Sequence, residues 1–231
     1  MIFDFGWTLA EFVGDGGWPA VLQSALVELE TALEESSAAK TASAYEMDLL
    51  GRLREIPPER ADHLDDLWAQ MGREWGPEQE APRSRAVEIF GSRLTIDWKL
   101  YRETIPFLDV LSRRGYRMAL ISNVCSPPRH WRLLVERLGL THYLPVTVFS
   151  SEVGHSKPDA EPFEEALDAL GADPAEAMYV GDTPRRDVDG AARAGITPVH
   201  LRRRPEAPMG DHAAAITVST LKELLPYLPP R

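Results

Sequence analysis

Six polar residues follow four short apolar runs of the sequence. They are Asp4 after the first run, Ser122 and Asn123 after the second, Lys157 in the loop after the third, and Asp182 and Asp187 after the fourth. Ligands of an open α/β sheet bind beyond the carboxyl ends of its strands, where the strand order reverses. If the runs are strands of one parallel sheet, these side chains meet at one edge of it.

These residue types suit phosphoryl transfer. A carboxylate at the end of a strand can attack phosphorus and form an aspartyl-phosphate. Mg²⁺ held by carboxylates offsets the repulsion between that nucleophile and a phosphate dianion, and a lysine adds further positive charge. A hydroxyl beside backbone N–H groups at the start of a helix can hold the phosphoryl oxygens.

After residue 99, apolar runs alternate with helical patterns. The runs cover 117–121, 146–149, 177–180, 197–201 and, more weakly, 215–218, and the helices fit 103–114, 128–138, 160–170, 185–194 and 219–227. This alternation predicts right-handed βαβ units and a mainly parallel sheet that is buried on both faces. Residues 1–3 add one more run, whose shortness leaves open a natural start upstream of Met1.

Residues 19–93 show helical periodicity and no convincing strand. Helices fit the segment after Pro19 and the ranges 45–56, 59–75 and 82–94, and Pro57-Pro58 ends the second of them. We therefore predict an α/β, Rossmann-like three-layer core of residues 1–14 and 99–231, interrupted by a helical cap of residues 15–98. Most of the net negative charge falls in that cap.

Composition argues against several classes of protein. The chain has 231 residues and a formal net charge of −11, whereas a nucleic-acid binder needs a basic surface. Cys125 is the only cysteine, which rules out an intrachain disulfide and a thiolate zinc cluster. The sequence offers no apolar run of membrane-spanning length and no secretory signal. We expect a soluble cytoplasmic protein that binds neither nucleic acid nor membrane.

The polar residues fall into four motifs. The motifs are Asp4-Phe5-Gly6-Trp7-Thr8-Leu9, Ile121-Ser122-Asn123, Lys157-Pro158, and Gly181-Asp182 with Asp187. In this order, each after a predicted strand, they make the sequence resemble the haloacid dehalogenase-like (HAD) hydrolase superfamily over nearly the whole predicted core. The helical segment between the first and second motifs resembles the cap of that family.

The resemblance implies a Mg²⁺-dependent hydrolase, most simply a phosphatase of a small phosphorylated metabolite. It makes Asp4 the nucleophile and a Mg²⁺ ligand, and it makes Lys157 the residue that orients Asp4 and balances the charge of the phosphoryl group. Ser122 and the backbone N–H of Asn123 would bind that group. Asp182 would bind Mg²⁺ directly, and Asp187 would support the metal site. A monomer and a homodimer both remain open.

Position 6 departs from the family pattern. The family has a second aspartate there, whose side chain protonates the leaving group and activates water, and whose carbonyl binds Mg²⁺. Gly6 keeps the carbonyl as a metal ligand and lacks the carboxyl group, and general acid–base catalysis contributes about 10²–10⁴-fold. His155 is a candidate replacement, although a plain loop histidine is the more ordinary interpretation. Trp7 either packs beneath the cap or shapes a pocket for an apolar leaving group.

Two other classes of function compete with the phosphatase. A non-catalytic module that binds a metabolite or a protein would explain Gly6, although it would not need the other motif residues. A C–halogen hydrolase of this family usually lacks an acid where Asp182 stands, and a C–P hydrolase needs a cap lysine, for which Lys40 is the only candidate. The run Arg202-Arg203-Arg204 is interpreted as a solvated surface feature, with an anion contact as the alternative.

Overall fold

The computed structural model describes residues 1–15, 20–21, 24–25, 27–28, 31, 51, 80–124, 126–203 and 214–229. The chain divides into two compact units. One unit comprises Met1–Phe12, Trp98–Asn123 and Val135–Arg231, and the other comprises Val13–Asp97 and Val124–Leu134. The division into a core of 1–14 and 99–231 and a cap of 15–98 stays a prediction, because much of 15–98 lies outside the described residues.

Eight strands are found in the described residues. In chain order they are β1 (Ile2–Phe3), β2 (Ala10–Phe12), β3 (Trp98–Leu100), β4 (Ala119–Ser122), β5 (Val146–Phe149), β6 (Met178–Gly181), β7 (Thr197–Leu201) and β8 (Ile216–Val218). Six of them form one parallel sheet in the order β5-β4-β1-β6-β7-β8. This sheet confirms the predicted α/β core, and all five predicted runs after residue 99 are strands.

Helical segments connect these strands. The α-helices whose bounds the described residues give are α1 (Glu80–Leu94), α2 (Thr104–Arg113), α3 (Pro128–Arg137), α4 (Ser150–Val153), α5 (Glu161–Leu170) and α6 (Gly190–Arg193). The predicted helices at 82–94, 103–114, 128–138 and 160–170 are confirmed. The helix expected at 185–194 is instead a π-helical segment, Pro184–Asp189, followed by α6, and the one expected at 219–227 is a 3₁₀ segment, Leu221–Tyr227.

Helix α5 shows how the sequence builds the core. Its apolar residues recur at helical spacing, so that Phe163, Ala166 and Leu167 are buried while the acidic residues between them are exposed. Phe163 meets the ring of Tyr179 on β6 at a centroid distance of 5.0 Å. Gly171 ends the helix at φ 57°, and its N–H donates to the carbonyls of the last turn.

The central strand β1 carries the first motif to the edge of the sheet. Ile2 and Phe3 are fully buried and pair with β4 on one side and with β6 on the other. The N–H of Asp4 continues the pairing by donating to the carbonyl of Val180 at 2.9 Å. The chain runs outward from β1 through β4 to β5 and then returns to β6, so Asp4 stands at the switch point of the sheet.

A small two-stranded antiparallel sheet was not predicted from the sequence. Strands β2 and β3 pair with Phe12 opposite Trp98. Each has only three residues, which is too short for a period-2 pattern to stand out, and the two segments are far apart in the chain. This small sheet matters for the site because it brings Trp98 beside the first motif.

The second unit is described mainly through α1 and the start of α3. Helical positions also occur at 20–31, where Val21 and Ala25 are buried. Glu88 on α1 forms ion contacts with Arg129 and His130 on α3. The predicted helices at 45–56 and 59–75, like Lys40 and Cys125, lie outside the described residues, apart from the helical position Gly51. Within the described ranges, the chain has no helix of the length and apolar character that a bilayer crossing requires.

Candidate active site

The Lys157 ammonium is the centre of a buried polar cluster formed by Asp4, Lys157, Tyr179 and Asp187. Its Nζ lies 2.6 Å from Asp4 Oδ1, 2.7 Å from Asp187 Oδ1 and 2.7 Å from the Tyr179 hydroxyl. An ammonium group has three N–H donors, and these three acceptors match that number. The Tyr179 hydroxyl in turn donates to Asp187 Oδ1 at 3.0 Å. The cluster thus holds the Lys157 ammonium from three directions and places it against Asp4.

Burial governs the electrostatics of this polar cluster. The pKa of Asp4 is raised from 3.8 to about 7, chiefly by desolvation; Lys157 opposes the shift, and the charges of Asp187 and Asp182 add to it. Desolvation lowers the pKa of Lys157, but the nearby Asp187 and Asp4 carboxylates outweigh this and raise it. The pKa of Tyr179 is raised well above its usual value by burial and by Asp187. Lys157 is therefore held as a cation, and Tyr179 as a neutral hydroxyl.

Asp187 depends on a glycine and on an unusual helical turn. It sits in the π-helical segment Pro184–Asp189, a geometry that occurs often at functional sites. Its Oδ2 accepts from the N–H of Thr183 at 2.8 Å. A Cβ at Gly181 would lie 2.4 Å from the Asp187 side chain, so only glycine fits at that place in the fourth motif.

Asp182 is held beside Asp187 by neighbouring polar groups. Its carboxylate accepts from the Thr183 hydroxyl at 3.1 Å, and its backbone carbonyl lies 3.2 Å from Nε2 of the buried His200. Oxygens of Asp4, Asp182 and Asp187 all lie within 4.8 Å of one another, and all three residues are buried. The structure thus brings together the three aspartates that the sequence analysis selected.

The second motif is joined to the third through a side chain. The Asn123 amide group donates to the carbonyl of Lys157 at 3.0 Å and accepts from the N–H of Lys157 at 2.9 Å. This two-bond clamp sets the backbone that carries the Lys157 ammonium. Ser122 is buried at the end of β4, and its hydroxyl makes a long contact of 3.5 Å to the Asn123 carbonyl. Phosphoryl binding by Ser122 and by the backbone N–H of Asn123 stays a prediction.

Two residues of the first motif, Phe5 and Trp7, form an aromatic cluster with Phe12 and Trp98. The Trp98 ring lies 5.0 Å from that of Phe5, 5.7 Å from Phe12 and 6.5 Å from Trp7, measured between centroids. Trp7 adopts a left-handed conformation with φ 58°, which is uncommon for a residue other than glycine. Trp7 thus joins an aromatic packing group, and a pocket for a leaving group at this residue stays a prediction.

The turn that follows Asp4 is fixed by residues that the sequence analysis did not select. The Thr8 hydroxyl donates to Asp4 Oδ2 at 3.2 Å. The Arg203 guanidinium donates to the Thr8 carbonyl at 3.0 Å, pairs with Glu103 at 2.8 Å and stacks 3.8 Å above the Tyr101 ring. The interpretation of Arg203 as a solvated surface residue is therefore wrong, because its charge is paired and its side chain is only 11 % exposed.

The three aspartates fit a hard divalent cation. Carboxylate oxygens are the donors that Mg²⁺ prefers, and each oxygen has two lone pairs. Asp187 already accepts three hydrogen bonds, from Lys157, Tyr179 and Thr183. Asp4 and Asp182 are therefore the better direct ligands, with Asp187 holding the surrounding groups in place. The Gly6 carbonyl as a third ligand stays a prediction.

A second group of potential ligands lies on the surface. His155 Nδ1 lies 3.7 Å from Asp159 and 3.5 Å from Glu161, and all three side chains are about half exposed. This arrangement pairs His155 with a carboxylate of its own loop, Asp159, and with one at the start of α5, Glu161. A role for His155 as the missing acid stays a prediction.

Comparison with known proteins identifies the family. A family model described as haloacid dehalogenase-like hydrolase matches residues 2–195. The chain is 37% identical over 153 residues to a phosphoserine phosphatase of Thermus thermophilus, covering 65% of this chain and 59% of that protein. It is 32% identical over 162 residues to a glyceraldehyde 3-phosphate phosphatase of Methanopyrus kandleri, covering 68% and 67%.

The fold agrees with solved structures. A 2-haloacid dehalogenase from Pseudomonas syringae superposes with a TM-score of 0.68 at 21% identity, covering 98% of this chain and 95% of that one. The chain belongs to the haloacid dehalogenase-like hydrolase family, which confirms the resemblance drawn from the four motifs. The match to the phosphoserine phosphatase covers less than two thirds of that protein's length.

Proposed function

We propose that the protein is a Mg²⁺-dependent phosphatase that acts on a small phosphorylated metabolite through an aspartyl-phosphate on Asp4. The observation that carries this proposal is the 2.6 Å contact between Asp4 Oδ1 and the buried Lys157 ammonium, beside the carboxylates of Asp182 and Asp187. A carboxylate held this way at the switch point of a sheet is placed to attack a bound phosphoryl group. Relatives named as phosphatases support the same reaction class.

Each residue of the polar cluster has a part in this mechanism. Asp4 forms a bond to phosphorus, and the leaving group departs with the electron pair of its own P–O bond. Lys157 keeps Asp4 aligned through its hydrogen bond and offsets negative charge that gathers on the phosphoryl oxygens. Asn123 holds the Lys157 backbone, and Ser122 is placed at the strand end to hydrogen-bond a phosphoryl oxygen.

Mg²⁺ would be held by Asp4 and Asp182, and when bound it supplies positive charge that stabilises a transferring phosphoryl group. The raised pKa of Asp4 supports such a partner, because the metal-free cluster penalises the ionised carboxylate that the attack requires. We further infer a cytoplasmic protein, monomeric or homodimeric, without nucleic-acid or membrane partners.

The test is phosphate release from 4-nitrophenyl phosphate and acetyl phosphate, with Mg²⁺ or with EDTA. We expect release that depends on Mg²⁺ and falls by about 10³-fold or more in Asp4→Asn, since the nucleophile is lost. The matched control is Asp168→Asn, whose carboxylate is exposed on α5. Equal rates in wild type and Asp4→Asn would overturn the aspartyl-phosphate, and no release from either substrate would favour the non-catalytic module.

A further inference from the structure

We propose that the site acts on phosphoryl compounds whose leaving group is stable as an anion, with acyl phosphates as the metabolite class, and acts poorly on alkyl phosphates. This inference rests on the proposed phosphatase function. It comes from the surroundings of Gly6 and from the hydrogen bonds that occupy the protons around Asp4.

Position 6 has no side chain, and the fold leaves little room for one. A Cβ on Gly6 would lie 3.2 Å from the Cη2 atom of Trp98 and 3.6 Å from its Cζ3 atom. The first distance is tighter than an ordinary van der Waals contact, so an added side chain at residue 6 would press on the indole. In this chain the place of a possible acid is therefore taken by an aromatic ring.

Trp98 is held firmly in that position. Its backbone pairs with Phe12 in the small β2–β3 sheet, and its ring packs against those of Phe5 and Phe12. Only 8 % of the residue is exposed. The packing of Trp98 thus limits the room for a carboxyl group at residue 6, and a substitution at Gly6 alone would require the indole ring to shift.

The hydroxyl and ammonium protons of the residues that contact Asp4 are already engaged in hydrogen bonds. Lys157 donates to Asp4 and Asp187, and Tyr179 donates to Asp187. The Thr8 hydroxyl donates to Asp4 itself. The third N–H of Lys157 donates to the Tyr179 hydroxyl. A leaving group could therefore take a proton from Lys157, Tyr179 or Thr8 only by breaking a hydrogen bond of the site.

The chemistry balances without an enzyme proton when the leaving group is a weak base. An Asp4 oxygen bonds to phosphorus, the P–O bond to the leaving group breaks, and the leaving oxygen keeps the electron pair and departs as a carboxylate or phenolate. Water then bonds to phosphorus, the P–O bond to Asp4 breaks, and the aspartate carboxylate returns. The protons of that water leave with the phosphate as dihydrogen phosphate. An alkoxide is a far stronger base, so its departure needs the missing acid.

The experiment measures kcat/KM for a series of aryl phosphates, from 4-nitrophenyl to phenyl phosphate, together with acetyl phosphate and glycerol 3-phosphate. This ratio reports the first half-reaction, however slowly water cleaves the intermediate. We expect phenyl phosphate to react about 100-fold or more slowly than 4-nitrophenyl phosphate, and glycerol 3-phosphate to be slower still. If kcat/KM for phenyl phosphate and for 4-nitrophenyl phosphate differ by less than about tenfold, this inference is overturned and the proposed phosphatase function is left intact. No turnover of any compound would overturn both.

A pair of double variants tests the structural cause. Gly6→Asp with Trp98→Leu makes room for a carboxyl group, and Gly6→Asn with Trp98→Leu is its matched control without an acid. The quantity to compare is the ratio of the rate with phenyl phosphate to the rate with 4-nitrophenyl phosphate. We expect this ratio to be about tenfold or more higher in the aspartate variant than in the asparagine variant. The same ratio in both variants would contradict the assignment of residue 6 as the missing donor position. The comparison among substrates in the wild type stands even if both variants fold poorly.

Discussion

Asp4 lies between two clusters that are held together by opposite kinds of interaction. In the polar cluster, Asp4, Lys157, Tyr179 and Asp187 are joined by hydrogen bonds of 2.6 to 3.0 Å. In the aromatic cluster, which begins at the next residue, Phe5, Phe12 and Trp98 are joined by ring packing. Buried charges must each keep a partner, whereas packed rings depend on filled volume. The polar cluster should therefore govern rate and stability together, and the aromatic cluster should govern stability and substrate choice.

The substitution expected to disrupt the polar cluster most is Lys157→Met, which keeps an unbranched apolar chain and removes the ammonium. The buried Asp4 and Asp187 carboxylates would then face each other without their cation. We expect a loss of unfolding free energy of about 3–5 kcal/mol. Phosphate release should fall by about 10²–10³-fold. Urea unfolding and the rate with 4-nitrophenyl phosphate measure the two effects.

The control for this change is Lys222→Met, because Lys222 is exposed in the 3₁₀ segment at the end of the chain. It should leave stability within about 0.5 kcal/mol of wild type. Similar unfolding midpoints for the two variants would show that the Lys157 ion pairs do not support the fold.

The matching change in the aromatic cluster is Trp98→Ala. It leaves a cavity among Phe5, Trp7 and Phe12, and we expect a loss of about 3–5 kcal/mol in unfolding free energy. Because the polar cluster is untouched, the kcat of the folded fraction should stay within about tenfold of wild type. Tyr227→Ala is the control, since that ring is 57% exposed. A loss of stability no larger than that of the control would rule out a packed role for Trp98.

The pH dependence of stability sharpens the comparison at Asp4 itself. Because the pKa of Asp4 is about 7 in the folded protein and 3.8 ordinarily, folding favours its protonated form. Its contribution to stability is therefore fully present below pH 4 and is lost as the pH rises towards 7. Asparagine cannot ionise, so Asp4→Asn should gain stability relative to wild type by about 1–3 kcal/mol between pH 5 and pH 8.

Urea unfolding in EDTA at the two pH values measures this difference. Added Mg²⁺ should restore wild-type stability more at pH 8 than at pH 5, because a metal ligand must be deprotonated. It should stabilise the asparagine variant less. A wild-type-to-variant difference that does not change with pH would contradict the raised pKa of Asp4.

The sequence was sufficient for the sheet and for the charged part of the polar cluster. Buried parallel strands are continuous apolar runs, and polar residues at their carboxyl ends are adjacent in the sequence to the strands that carry them. Asp4 and Asp182 could therefore be selected because each follows its strand directly, whereas Lys157 and Asp187 stand further along the chain and were selected with the help of the family motifs. Helix α5 was equally clear because its buried residues follow the helical period.

The missed residues lack such a local signal. Tyr179 lies inside β6 and contributes to an apolar run, and only the fold shows that its hydroxyl reaches Lys157. Trp98 comes from a three-residue strand that pairs with a strand far away in the sequence. Asn123 was selected for its backbone N–H, whereas its amide side chain clamps Lys157. The signal in each case is a tertiary contact, which periodicity does not encode.

The smallest expected effect comes from Tyr179→Phe, which separates the two interaction types within one residue. The variant keeps the ring that packs on Phe163 and removes the hydroxyl that accepts from Lys157 and donates to Asp187. We expect a loss of about 1–3 kcal/mol in unfolding free energy, because two buried charged groups each lose a partner. The rate should fall by about tenfold, since Lys157 keeps its hydrogen bond to Asp4. The control is Tyr116→Phe, whose hydroxyl bonds the Pro229 carbonyl at an exposed position and should cost at most about 0.5 kcal/mol. If the two tyrosine variants match in stability and rate, the Tyr179 hydroxyl contributes to neither. Lys157 is then aligned by the two carboxylates and by Asn123.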